Sequence, residues 1–194
     1  MTVINPPKSY TEEEYLAMEV TSEIRSEYRN GDIIAMPGDT PTHNEVTATL
    51  MFLLMSSLRK KPYSIFITDQ RLWIPERAMY TYPDIMVTAR PTPLKAGRKD
   101  TIIDPILIAE VLSESTQGYD RGDKFAAYRT IPTLQDYLLI DPNTPHIEYY
   151  AKQGEQQWLF TEYSSLEQSF ILASVNVQIP LMELYETVEF EQPN

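Results

Sequence analysis

The 194-residue chain contains no cysteine. This excludes disulfides, thiolate zinc sites and cysteine nucleophiles together, and is compatible with a reducing cytoplasm. Histidine is nearly as scarce. His43 and His146 are the only two, too few for a histidine-rich metal centre, so a bound metal would be held by oxygen. No apolar run is long enough to span a bilayer, and the opening MTVINPPKSYTEEE is acidic and polar, unlike a signal peptide. No membrane association is therefore expected, and a cytoplasmic location is. Basic residues are also in deficit: 16 Lys and Arg face 28 Asp and Glu, a net charge of −12. That balance counts against a nucleic-acid binder with a broad basic surface. It leaves room for local strips, at Arg59-Lys60-Lys61, at Lys95 with Arg98 and Lys99, and at Arg121 with Lys124 and Arg129.

What is present suits one globular domain. Residues 1–9 read as a flexible arm and 10–194 as a single α/β domain with a mixed sheet. Thr11 and Glu14 form a capping box, predicting a helix to about Glu19. In SEYRNGDIIAM, Asn30-Gly31 signals a type I′ hairpin. Thr42 and Glu45 suggest a second capping box, before a helix with Val46, Leu50, Leu53, Leu54 and Leu58 on its core face. YSIFITDQRLWIP alternates as one strand, with Ile65, Ile67, Asp69, Arg71 and Trp73 on one side. PDIMVTA and DYLLID are further strands, and PILIAEVL is apolar enough to be covered on both faces. A helix is expected from about Asp120 to Arg129. HIEYYAK, QQWLFTEY and ASVNVQI read as antiparallel strands, and PLMELYE as a closing helical turn begun by Pro180.

Two of these apolar strands carry an acid. Glu110 lies in the middle of PILIAEVL, on the face shared by Ile106, Ile108 and Leu112. Asp84 begins PDIMV. Taken singly, Glu110 reads equally well as a buried ion pair, and Asp84 as a strand-end cap. Adjacent strands would bring the two together, where they repel unless one is protonated or a cation lies between them. Mg²⁺, bound by one or two carboxylates and water, is the natural counter-ion, with Mn²⁺ as the alternative. In DRGDKFAAYR, helical spacing stacks Asp120, Lys124 and Tyr128. Lys124 is then either a surface partner of Asp120 or an ammonium presented beside Glu110.

PDIMV, IAEVLSEST, DRGDKFAAY and DYLLIDP, in that order, resemble the Uma-two family of restriction-endonuclease-like proteins, within the PD-(D/E)XK nuclease superfamily. The resemblance extends from about Tyr10 to Pro180 and takes in EYRNGDIIAMPGDTPTHNEV and TDQRLWIP. It implies a restriction-endonuclease-like core: a mixed β-sheet flanked by helices, with additional antiparallel strands. Asp84 matches the motif aspartate and Glu110 the second acid, together the implied metal ligands. The superfamily lysine two positions after that acid is here Leu112, and Lys124 on the following helix takes its place. Glu27, Glu45, Asp69 and Arg71 match accessory positions, and His43 fits a positioning or proton-transfer role as well as a helix cap. Glu114 and Leu138 stand where the family commonly has proline and tryptophan.

The implied activity is Mg²⁺-dependent endonucleolytic hydrolysis of nucleic acid, DNA foremost, by a homodimer. The alternatives are a catalytically inert binding or regulatory module on a nuclease scaffold, and a metal-free carboxylate pair of the glycosidase type. Without metal, mutual repulsion and desolvation should raise the pKa of at least one of Asp84 and Glu110.

Overall fold

The computed structural model describes residues 9–36 and 38–190, so the expected arm, apart from Ser9, lies outside the described residues. The first capping box forms as expected. Thr11 Oγ1 accepts from the Glu14 N–H and the Glu14 carboxylate accepts from the Thr11 N–H, opening α1 (Glu12–Thr21). Asn30 and Gly31 have φ of 46° and 104°, the two positive values a type I′ turn requires, and join β1 (Ser26–Arg29) to β2 (Asp32–Ala35).

Helix α2 (Pro41–Ser57) starts differently from the expectation. Its N-cap is Thr40, whose Oγ1 accepts from the His43 N–H at 3.2 Å. Pro41 has no N–H to leave unpaired and takes the first helical position, which places Thr42 inside the helix. The capping box expected of Thr42 and Glu45 does not form, and Glu45 is exposed. The core stripe holds: Val46, Leu50 and Leu54 are fully buried. Burial of such side chains contributes about 1.5–3 kcal/mol each.

The strand expected through YSIFITDQRLWIP is two strands in two sheets, β3 (Tyr63–Ile67) and β4 (Arg71–Ile74). Thr68 breaks it, with φ of 34° and its N–H donated to the Asp84 carbonyl at 3.0 Å. Both halves keep the alternation, so periodicity alone does not register the turn between them. The chain continues through β5 (Met79–Thr81), β6 (Ile85–Ala89), β7 (Thr101–Ile102) and β8 (Leu107–Val111). The expected helix after β8 begins earlier, as α3 (Gln117–Tyr119). It widens into a π turn over Asp120–Lys124 and resumes as α4 (Phe125–Tyr128). Then come β9 (Asp136–Asp141), β10 (His146–Lys152), β11 (Trp158–Tyr163), β12 (Ser169–Leu172), β13 (Val177–Pro180) and α5 (Leu181–Leu184).

The central sheet has six strands in the order β11-β10-β9-β8-β6-β3, with β8 and β9 parallel and the other pairs antiparallel. A second sheet runs β2-β1-β5-β4-β7, and β12 pairs with β13. Strand β8 is covered on both sides, as its sequence required. Leu107, Ala109 and Val111 face the cluster built with α2, α5 and the β12–β13 pair. Ile108 and Leu112 face a second cluster with Leu72, Ile102, Phe125 and Tyr128. Glu110 shares the parity of Ile108 and Leu112, and so points to that second side. The architecture is a mixed α/β one, with helices flanking a mixed sheet.

Candidate active site

Strand register brings the two acids together. Ile85 on β6 pairs with Ala109 on β8, so Asp84 and Glu110 are the next pair outward. The Asp84 N–H donates to Glu110 Oε2 at 3.3 Å, and Asp84 Oδ2 accepts from the Val111 N–H at 2.8 Å. The backbone of each strand thus orients the acid of the other.

Glu110 is compensated by the protein itself. Lys124 Nζ lies 2.9 Å from Glu110 Oε1, and the Tyr128 hydroxyl donates to the same oxygen at 2.6 Å. Lys124 is also 3.3 Å from Asp120 Oδ1 and 3.7 Å from Glu27 Oε1. Helical spacing does stack Asp120, Lys124 and Tyr128, but Lys124 and Asp120 are a buried pair rather than a surface one. Burial pushes the Glu110 carboxyl up, with Lys124 opposing and the Asp84 and Asp120 charges adding to the rise. For Lys124, burial acts downward, but Glu110 and its other anionic neighbours outweigh it and hold the ammonium.

Glu27 comes from β1 in the other sheet. Thr81 donates to its Oε1 at 2.5 Å, while Arg29 Nη2 and the Tyr119 hydroxyl donate to its Oε2 at 2.9 and 3.2 Å. Burial would raise Glu27, but Lys124, Thr81 and Arg29 together leave it below the usual carboxylate range.

At the start of α2, His43 serves twice. Its N–H satisfies the cap, and its buried imidazole reaches the site, with Nε2 3.2 Å from Asp84 Oδ2 and 3.8 Å from Asp39 Oδ1. Burial acts to lower its pKa, but the two carboxylates outweigh it and the net shift is upward. Its Nδ1 is buried without a hydrogen-bond partner among the described residues. Burial raises the Asp39 carboxyl, the His43 charge opposes this and Asp84 adds to it.

These groups line a recess of about 100 Å³ with room for an ion and a few waters. Ligand atoms of Asp39, His43 and Asp84 all lie within 4.8 Å of one another. The two carboxylates suit Mg²⁺ or Mn²⁺, and the imidazole, a ligand for transition metals, favours Mn²⁺ of the two. Five acids line the recess (Glu27, Asp39, Asp84, Glu110, Asp120) against Lys124 and Arg29, so the local field favours a cation.

Of the residues singled out in the sequence, Asp84, Glu110, Lys124, Glu27 and His43 converge here. Glu45 does not, and Asp39, before the helix, supplies the acid instead. Asp69 is exposed and pairs with Arg25 at 3.5 Å. Arg71 is buried in a neighbouring cluster, donating to the Tyr82 hydroxyl at 2.8 Å and lying 3.5 Å from Glu19. Asp39 and Arg29 were missed because their loop and strand-end positions carry no periodic signal, and Tyr119 because the helix that holds it was expected to begin only at about Asp120. The i,i+4 spacing of Asp39 and His43 was the one available clue.

No helix among the described residues is long and apolar enough to cross a membrane. Two uncharacterized proteins of Synechocystis sp. are similar in sequence. One is 43% identical over 84% of this chain and 92% of its own length, the other 34% identical over 92% of each. A crystal structure from Anabaena variabilis, described as a putative nuclease belonging to DUF820, superposes with a TM-score of 0.74 at 19% identity, covering 90% of this chain and 96% of that one. It shares the fold. The sequence profile of the Uma2 family, described as "putative restriction endonuclease", matches residues 12–181, and the chain belongs to that family.

Proposed function

We propose that the chain is a divalent-metal-dependent endonuclease, hydrolysing phosphodiester bonds of nucleic acid, DNA foremost, as a homodimer. The observation that carries this reading is the meeting of Asp84, Glu110 and Lys124 at one recess, with Lys124 2.9 Å from Glu110. The name of the family and that of the Anabaena protein support the same reaction class.

The site fits a hard divalent ion. Asp84 would hold it, with Glu110 Oε2 or the Asp39–His43 pair completing the donor set. When bound, such an ion supplies a more acidic water and charge neutralisation at a phosphoryl oxygen. The chain's own residues do the rest. The Asp84 and Val111 N–H groups fix the two carboxylates in place before any substrate arrives. Lys124 directs an ammonium at charge that develops on the phosphoryl oxygens. Tyr128 keeps Glu110 Oε1 occupied and so aims Oε2 into the recess. His43 Nε2 faces Asp84 Oδ2 at 3.2 Å and can donate a proton to it in the metal-free site, a proton it would give up on ligating a metal. A strand crossing the mouth of the recess would present a phosphate inward, toward Asp84 and Lys124.

The test is cleavage of supercoiled plasmid and labelled oligonucleotides with Mg²⁺, Mn²⁺ or EDTA, by wild type and Asp84→Asn. Cleavage confined to wild type with metal is expected. Equal cleavage by the variant, or in EDTA, would overturn the proposal. One observation favours the inert-module reading: Lys124 and Tyr128 already neutralise and bond Glu110. A protein that binds oligonucleotides but cuts none with either metal would establish that alternative.

A further inference from the structure

The acids that suit the recess to a metal also repel a polyanion, so a nucleic-acid strand needs a cation at the entrance. Lys124 is poorly placed for this, with 8% of its side chain exposed and three carboxylates around it. Arg29 is the other cation lining the recess, and 32% of its side chain is exposed.

Its geometry is fixed on three sides. Arg29 ends β1, directly before the positive-φ turn at Asn30. Its Nε and Nη2 both donate to Glu27 Oε2, at 3.3 and 2.9 Å. The guanidinium carbon lies 3.5 Å from the centroid of the Tyr119 ring. Tyr119 in turn donates to the same Glu27 oxygen, closing a triangle. A planar guanidinium bound along one edge presents the opposite edge outward. Among the described residues, Arg29 Nη1 has no partner. Glu27 bridges the two cations, with Lys124 at one oxygen and Arg29 at the other.

We infer that the Arg29–Tyr119 stack is a phosphate-positioning clamp, its free guanidinium edge holding the backbone phosphate next to the one presented to Lys124. This rests on the nuclease reading. An arginine already ordered by a carboxylate and a ring loses little freedom when it binds, and its fork matches a phosphate where a lysine would not. Arg29 is thus a positioning residue, and its contribution is to binding and register.

The competing role is purely internal: Arg29 neutralises Glu27 and touches no ligand. Salt dependence separates the two. Fluorescence anisotropy of the full chain with a labelled single-stranded and a duplex oligonucleotide, in EDTA across a range of salt concentrations, gives Kd and its slope. Arg29→Gln should weaken binding about tenfold and reduce the slope of log Kd against log salt by about one. Arg29→Lys should keep the slope and still bind more weakly. If Arg29→Gln fails to fold, Tyr119→Leu asks the same question, because it removes the stack and leaves both charges. It should weaken binding with the slope retained. In cleavage assays, Arg29→Gln should act mainly on KM. Wild-type affinity and slope in Arg29→Gln, or wild-type affinity in Tyr119→Leu, would overturn the clamp while leaving the nuclease reading intact. A wild-type protein that neither binds nor cuts either oligonucleotide would overturn both.

Discussion

Removing the charge of Lys124 should cost far more than removing that of Glu110, although the two are partners at 2.9 Å. Lys124→Met leaves Glu110 and Asp120 with no cation between them, and Glu27 with Arg29 alone. Breaking a buried pair by deleting one partner costs about 3–5 kcal/mol, because an uncompensated buried charge remains. Glu110→Gln is different. The amide oxygen still accepts from Tyr128 and Lys124, and the ammonium keeps Asp120 at 3.3 Å and Glu27 at 3.7 Å. That change also relieves the repulsion from Asp84 and should stay within about 1 kcal/mol of neutral. For a chain of this size 1 kcal/mol moves Tm by about 2–4 °C. Thermal melts in EDTA should therefore show a fall of roughly 6–20 °C for Lys124→Met and no more than about 4 °C for Glu110→Gln. The double variant should recover part of the loss. Lowering the pH should also recover Lys124→Met, because burial raises the Glu110 pKa and the folded state then takes up protons before the unfolded chain does. A Lys124→Met cost no larger than that of Glu110→Gln would refute the claim that one ammonium makes the acid cluster tolerable.

Calorimetric titration with Mg²⁺ or Mn²⁺ should show binding to wild type that is lost in Asp84→Ala and weakened in Asp39→Asn; equal binding by Asp84→Ala would remove Asp84 from the site. The upward shift of His43 means its contribution to stability is complete below the unfolded pKa of about 6.5 and is lost as pH rises through the folded value. Urea melts in EDTA should therefore fall in midpoint across that window for wild type and stay flatter for His43→Gln. If the protein cuts nucleic acid, Lys124→Met that remains folded should lose about two orders of magnitude in turnover, and near-normal turnover would restrict Lys124 to holding the acids. Sedimentation at micromolar concentration should show a dimer, since two sites related by a two-fold axis suit cleavage of both strands; a monomer alone would contradict it.

The sequence was most legible where local chemistry dictates the backbone. Asn30-Gly31 could hardly be anything but a tight hairpin, and the apolar run around Glu110 required cover on both faces. The convergence of Asp84 and Glu110 was also legible, since both begin or occupy apolar strands of one sheet. What compensates Glu110 was legible only in part. The sequence allowed Lys124 beside Glu110 as well as a metal between the acids, whereas the Tyr128 hydroxyl bond and the burial of the Lys124–Asp120 pair depend on a helix whose approach angle no local pattern encodes. The start of α2 was misjudged for a related reason. Thr40 and Thr42 are both capable caps, and the choice falls to Pro41, which prefers the first turn. The division of β3 from β4 escaped because alternation is indifferent to which sheet a strand joins.

The π turn at Asp120–Lys124 has a consequence for how this segment tolerates change. It accommodates one residue more than a regular helix would over the same rise. Deleting a single residue there, Gly122 for example, would let the turn close to a regular α-helix, with Phe125 and Tyr128 still seated and the segment before it still in register. What would change is the spacing inside the turn: Asp120 would stand three rather than four residues before the lysine, and their contact would be reset. The segment thus carries one spare residue, whose loss the helix can absorb while the spacing of its charges shifts.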